Sequence, residues 1–249
     1  GNVVSVTDPV GDESQTTYDL AGRPVTVVAP KGVAGTPADY RSTVVYDLNG
    51  RAGGSFGPTA AAITDSFGRA PTATGLGSTD TGETWAATSG VWGTNGGAYA
   101  VSGTTPIATI DGPADGAVTA TMPVAQDGMG VVFRLSDASH YWKFTADTAT
   151  DTWTLAKVGG TAVSPVTTTT GTCCDPNALI GIYMQGSAIV VSVGGVPLAM
   201  VTDPDYTTNT RHGLIAPTGG TGRIGSFSTD AGGSRSYTGF DANGNAWFN

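Results

Sequence analysis

Lysine and glutamate are nearly missing from this chain of 249 residues, which has three Lys (Lys31, Lys143, Lys157) and two Glu (Glu13, Glu83). Charged residues make up 12%, and the acidic ones are almost all Asp. Good helix formers are scarce, while Gly (38 residues) and the β-branched residues are plentiful, so almost no helix is expected. Basic surface is lacking too. The eight Arg stand singly, and a formal net charge of −9 repels phosphate backbones and anionic membranes, which argues against nucleic acid as a partner. No apolar run approaches the ~20 residues of a membrane helix. The longest, around Ala188 to Val193, has strand length, so no membrane span is expected. Cysteine is confined to the adjacent pair Cys173 and Cys174, too few for a disulfide framework and without the spacing of a zinc site. Two readings of that pair stay open, neighbouring free thiols and a vicinal disulfide. What is present is enough for a packed core: 39% hydrophobic residues, with eight Tyr, seven Phe and five Trp.

Self-comparison gives the organisation. Tyr18-Asp19-Leu20-Ala21-Gly22-Arg23 is matched 28 residues later by Tyr46-Asp47-Leu48-Asn49-Gly50-Arg51, and Phe240-Asp241-Ala242-Asn243-Gly244-Asn245 stands near the end. Each reads aromatic, Asp, two spacers, Gly, then Arg or Asn. The pattern predicts a hairpin in which the aromatic ends one strand, Asp and Gly turn the chain, and alternating valines begin the next strand. Gly1-Asn2-Val3 reads as the back half of such a motif, so a piece of a longer protein is expected. At these residues the chain resembles the YD repeats of Rhs-type proteins, whose hairpin sheets build shells or filament-like walls. That resemblance implies neighbouring YD repeats as partners and a structural role for Tyr18, Tyr46 and Phe240.

Between the second and third copies the pattern changes. Strand-like runs at 104–110, 117–122, 130–135, 141–146, 152–158, 179–183, 188–193, 211–216 and 222–229 are separated by turn pairs such as Asp127-Gly128, Gly159-Gly160 and Gly194-Gly195. Many short strands of this kind predict an antiparallel two-sheet sandwich. The order Asp65-Ser66-Phe67-Gly68-Arg69, Gly82-Glu83-Thr84-Trp85, Gly90-Val91-Trp92, Gly130-Val131-Val132-Phe133-Arg134, Tyr141-Trp142-Lys143-Phe144 and Gly222-Arg223-Ile224-Gly225-Ser226-Phe227 resembles the concanavalin A-like, laminin G-type jelly roll. The expected fold class is therefore all-β. Residues 60–232 form a sandwich insert, and residues 1–58 and 234–249 form one discontinuous YD-repeat sheet.

The sequence argues against catalysis. Glucanases of this fold carry a Glu-x-Asp-x-x-Glu strand, whereas Glu83 is the only Glu of the insert. A Ser-His-Asp set would need His140 or His212, and no Gly-x-Ser-x-Gly elbow exists. The chain is expected to be non-enzymatic.

Binding is the alternative use of such a sheet. In Tyr141-Trp142-Lys143-Phe144 alternate residues face opposite ways, and Lys143 favours Tyr141 for the wet side. Arg134, His140, Tyr141, Trp153 and Arg211 are the candidate ligand-binding cluster, with a polysaccharide or cell-surface glycan as partner. No cofactor is required; calcium is the candidate cation, with Asp175, Asp203 and Asp205 in Asx-Pro loops as its oxygen ligands. Turn formation explains those aspartates equally well. Two functions compete: a secreted or cell-surface structural protein whose insert displays a glycan-binding face, and a purely structural module without a ligand. A glycosidase is the third, weaker reading.

Overall fold

A computed structural model describes residues 2–18, 21–34, 41–46, 52–56, 62–168, 170–176, 178–194, 196–231 and 235–237. Cα packing divides the chain into two units, residues 1–62, 195–197 and 231–249, and residues 63–194 and 198–230.

The first unit holds β1 (Ser5–Thr7), β2 (Glu13–Tyr18), β3 (Pro24–Val28), the single-turn helix α1 (Pro30–Ala34), β4 (Arg41–Tyr46) and β5 (Ala52–Phe56). The strands run antiparallel in sequence order, as successive hairpins must. The sheet is completed by a strand from the other end of the chain (Arg235–Tyr237), which pairs with β5 through Arg235↔Phe56 and Tyr237↔Gly54. The chain therefore leaves this sheet after β5 and returns beside the same strand. Tyr18 is half-buried and its hydroxyl donates to the Val3 carbonyl at 2.6 Å, pinning the strand end to the chain before β1. Asp19, Leu20, residues 47–51 and the third copy at 240–245 lie outside the described residues.

The second unit is a sandwich. In chain order its strands are β6 (Ile63–Asp65), β7 (Ala86–Thr94), β8 (Ala98–Asp111), β9 (Gly116–Thr121), β10 (Gly130–Asp137), β11 (His140–Asp147), β12 (Thr152–Val158), β13 (Val166–Thr167), β14 (Leu179–Gln185), β15 (Ala188–Val193), β16 (Val196–Thr202), β17 (Arg211–Ile215) and β18 (Ser226–Asp230); the returning strand of the first sheet is β19. One sheet has the order β13-β12-β11-β10-β17-β8-β7, the other β16-β15-β14-β9-β18-β6. The crossovers (β17 between β8 and β10, β9 between β14 and β18) are those of a jelly roll rather than a simple meander. The fold is all-β and antiparallel, as the strand-like runs predict. β6, β7, β13 and β16 are strands the sequence reading did not single out.

Alternation sets the core. Val131, Phe133, Trp142, Phe144, Trp153 and Leu155 of the seven-stranded sheet meet Val118, Ile180, Ile182, Ile189, Val191 and Phe227 of the other, all 2% exposed or less. The opposite face of the seven-stranded sheet carries a cluster of its own, Ile107, Val132, Leu135, Tyr141 and Ile215. At the centre, β17 is squeezed between β10 and β8, where Gly213 pairs with both Val132 and Thr109. A Cβ at Gly213 would lie 1.9 Å from the Ala108 carbonyl oxygen, a backbone atom that cannot move aside alone. Gly213→Ala is therefore expected to lower stability by about 1–3 kcal/mol through overpacking. It would appear as a lower urea midpoint at unchanged slope.

Candidate functional site

The structure separates the five candidate ligand residues. Arg134 is fully buried. It sits in β10 at a left-handed φ of 50°, where the register against β11 and β17 shifts. This bulge turns the guanidinium inward. Nη2 donates to Asp115 Oδ1 (3.0 Å) and to the Gly186 carbonyl (2.6 Å). Burial pulls the Arg134 pKa below its ordinary value, and Asp115 opposes that. Trp153 is 2% exposed, stacked on Phe144 at 5.2 Å, with Nε1 donating to the Thr172 carbonyl at 2.9 Å. Tyr141 does share the side of Lys143, away from Trp142 and Phe144, yet it is only 4% exposed within the second apolar cluster. Burial accordingly raises its phenol pKa. These three cannot form an open sugar platform: a sugar ring needs a free aromatic face, and none of the three offers one.

His140 and Arg211 do come together, at the loop end of the sandwich. The β10–β11 hairpin tip places His140 Nδ1 2.9 Å from both carboxylate oxygens of Asp137, and the Ser139 N–H donates to Asp137 Oδ1 at 2.7 Å. That N–H, and then His140, hold the Asp137 carboxyl below its ordinary pKa. Arg211 Nη2 donates to the Ser136 carbonyl beside them. The His140 ring, its side chain 47% exposed, meets Tyr206 edge-on at 6.2 Å. The Gly159-Gly160 turn after β12 packs against this group. Gly159 has φ 71°, and a Cβ there would lie 2.4 Å from the Ser139 carbonyl oxygen, a backbone atom, so the turn strongly favours glycine.

Below the rim lies the pair proposed as calcium ligands. Asp203 and Asp205 both bind an ammonium instead: Lys157 Nζ is 2.7 Å from Asp203 Oδ2 and 2.8 Å from Asp205 Oδ2. A lysine amine at that point takes the place of a cation, and Asp175 is an exposed loop residue. Among the described residues no three His, Cys, Asp or Glu side chains are grouped to hold a metal ion. Burial works against the charge on Lys157, but its hydrogen bonds to Asp203 and Asp205 outweigh that and raise its pKa. Lys157, followed by the Thr161 N–H, lowers the Asp205 pKa. Sequence reasoning missed Lys157, although a signal was there: Trp153, Leu155 and Lys157 share one face of β12, and a lysine in a core row calls for a buried partner. Tyr206 and Asp115, in loops, gave no such signal. Cys173 and Cys174 are joined as a vicinal disulfide beside the core, in the loop whose Gly171 and Thr172 N–H groups donate to the Asp151 carbonyl.

The family model of the RHS repeat matches residues 1–34. No curated protein matches the chain. Among solved structures the chain is similar to the carbohydrate-binding module CBM66 from Bacillus subtilis, with 16% identity, TM-score 0.45, and 59% of this chain and 91% of that one covered. It is also similar to apo Crh5 transglycosylase (16% identity, TM-score 0.48, 74% and 90% covered) and to Bacillus licheniformis β-glucanase (11%, 0.42, 69% and 98%). At these identities, and with TM-scores below 0.5, the likenesses assign this chain no activity. The expectation that the chain is non-enzymatic is nonetheless withdrawn. The similar structures include a transglycosylase and a glucanase, and the absence of one carboxylate motif speaks only to the chemistry that uses that motif; neither point makes this chain an enzyme. Residues 1–34 match the RHS repeat, and in chain order a jelly-roll sandwich lies between β5 and β19, two strands that pair in one sheet.

Proposed function

We propose that this chain is a structural segment of a secreted or cell-surface repeat protein, and that its insert presents a polysaccharide-binding rim at the loop end of the sandwich. The observation that carries this reading is the exposed His140 ring, held by Asp137 and set edge-on to Tyr206, with Arg211 alongside. An aromatic edge beside carboxylate, imidazole and guanidinium groups offers the stacking and hydrogen bonds that sugar hydroxyls use. A net charge of −9 favours neutral or basic polymers over anionic ones. Such a rim is shallow, so useful grip would come from several copies along a fibre. A purely structural module is the second reading. The burial of Tyr141, Trp153 and Arg134 favours it, because among the described residues these three leave no open aromatic row on the seven-stranded sheet.

The test is a glycan array probed with a multivalent form of the full chain, beside the Asp137→Ala, His140→Ala double variant. Binding of a neutral or basic glycan, weakened about tenfold by the double variant (~1.4 kcal/mol), is the expected result. No signal, or equal signal from the variant, would leave the structural module as the better reading.

A further inference from the structure

Lys157, Asp203 and Asp205 have a geometry that goes beyond an ion pair. The Lys157 side chain is 1% exposed and that of Asp203 6%, so the two groups meet out of water. The Trp142 and Tyr206 rings flank the ammonium, 5.7 and 5.8 Å from Nζ to the ring centres. Asp203 Oδ2 lies 2.7 Å from Nζ, while its Oδ1 accepts the Asp205 N–H at 2.8 Å. The Asp205 carboxylate touches the same nitrogen at 2.8 Å and is itself fixed by the Thr161 N–H at 2.8 Å. An amine, a carboxyl, a hydrogen-bond donor on the carboxyl oxygen and a second carboxylate to move protons are thus assembled around one bond-forming point.

We propose that Lys157 and Asp203 close an intramolecular amide cross-link, with Asp205 as the proton carrier. Asp205 takes a proton from Nζ and passes it to Oδ2 of Asp203, and the freed amine attacks Cγ of the resulting carboxylic acid. Negative charge developing on Oδ1 is met by the Asp205 N–H, as in an oxyanion hole. The Cγ–Oδ2 bond then breaks, and Oδ2 leaves as water with the two protons that Nζ gives up, carried across by Asp205. One ammonium and one carboxylate become one neutral amide and one water, and no co-reactant is needed. Amide formation is unfavourable in open water. Positioned groups, however, reach effective molarities of about 10⁵–10⁸ M, and the enclosure keeps bulk water away. The bond would join β12 of one sheet to the segment that follows β16 of the other, a covalent clamp across the sandwich. This inference is independent of glycan binding.

Intact mass of the full chain, measured after reduction of the Cys173–Cys174 disulfide, is the test. The expected mass is one water below that of the sequence, with a branched proteolytic fragment joining the Lys157 and Asp203 peptides and the full sequence mass regained in Lys157→Arg. Asp205→Asn, which keeps a side chain of the same size, should leave most of the protein uncross-linked. A wild-type chain at full sequence mass, with the two peptides recovered separately, would overturn the proposal even if every variant failed to fold. So would a water loss that persists in Lys157→Arg, which would place it elsewhere, for example at an Asp-Gly step. Complete cross-linking in Asp205→Asn would remove Asp205 from the reaction.

Discussion

Asp65→Ala is expected to destabilise the insert by about 3–5 kcal/mol, the cost typical of removing one partner from a buried charged network. The Asp65 side chain is fully buried at the end of β6. Oδ2 accepts the Trp85 indole N–H at 2.7 Å, and Oδ1 accepts the Phe67 N–H at 2.8 Å together with Arg69 Nη2. Arg69 then donates through Nη1 to the Leu76 carbonyl at 2.6 Å and lies over the Phe67 ring. Trp85 packs edge-on against Phe227 of β18 at 5.1 Å, so one carboxylate ties the entry to the sandwich to its last strand. Truncation leaves the Trp85 and Phe67 donors buried and unpaired, at about 1–3 kcal/mol each. Arg69 is 25% exposed and can turn to water, which limits the loss. Differential scanning calorimetry should show the melting temperature of the insert falling by roughly 10 °C, at about 2–4 °C per kcal/mol for a domain of this size. Asp65→Asn, which keeps one acceptor oxygen, should fall in between. A shift of only a degree or two in the alanine variant would mean that water replaces the carboxylate and the network holds nothing together.

The same residues show how far the sequence could be read. Asp65-Ser66-Phe67-Gly68-Arg69 stands out as a recognisable string, but only the fold shows why: its acid is the hub for a tryptophan 20 residues away. The period-two alternation of Tyr141-Trp142-Lys143-Phe144 assigns sides correctly, because strand geometry alone fixes it. It does not give exposure, since the outer face of the sheet carries its own apolar cluster and encloses Tyr141. Arg134 fails for a different reason. Alternation assumes an unbroken strand, and the bulge at Arg134 breaks it without any sequence mark, since no glycine stands where φ is 50°. Asp203-Pro204-Asp205 has the composition of a cation loop, and its cation is a lysine 46 residues earlier in the chain. Local pattern gives elements and faces. Pairings across the sandwich depend on topology, and the candidate site is built from those.

Acid should weaken the fold in a window that belongs to His212. This residue of β17 is fully buried. Its Nε2 lies 2.7 Å from the Pro113 carbonyl oxygen and so must carry the proton, while Nδ1 accepts the Arg134 N–H at 3.1 Å. Both nitrogens are thereby committed to the neutral ring. Protonating Nδ1 would set it against the Arg134 N–H, with the Arg134 guanidinium also nearby. Burial first, and Arg134 after it, lower the pKa from 6.5 to about 4, against the opposing pull of the Pro113 carbonyl. The folded value lies below the unfolded one, so between pH 6.5 and about 4 the unfolded chain binds the extra proton. Stability is unaffected by this group above pH 6.5, falls as pH drops through the window, and levels off below it. The full loss is about 3 kcal/mol, at 1.36 kcal/mol per pH unit. The lowered carboxylates Asp80, Asp137, Asp205 and Glu83 act in the same direction but further down, as pH falls below their ordinary 3.8 and 4.5. Urea unfolding at pH 7 and pH 4.6 therefore reads mainly the histidine, with a smaller share from the lowered Glu83 and Glu13. The expected result is a wild-type stability lower by about 2–3 kcal/mol at the acid pH. His212→Gln, less stable at pH 7 but without the titrating ring, should show little difference between the two. An equal acid loss in that variant would assign the effect to other groups and refute the neutral, doubly bonded His212.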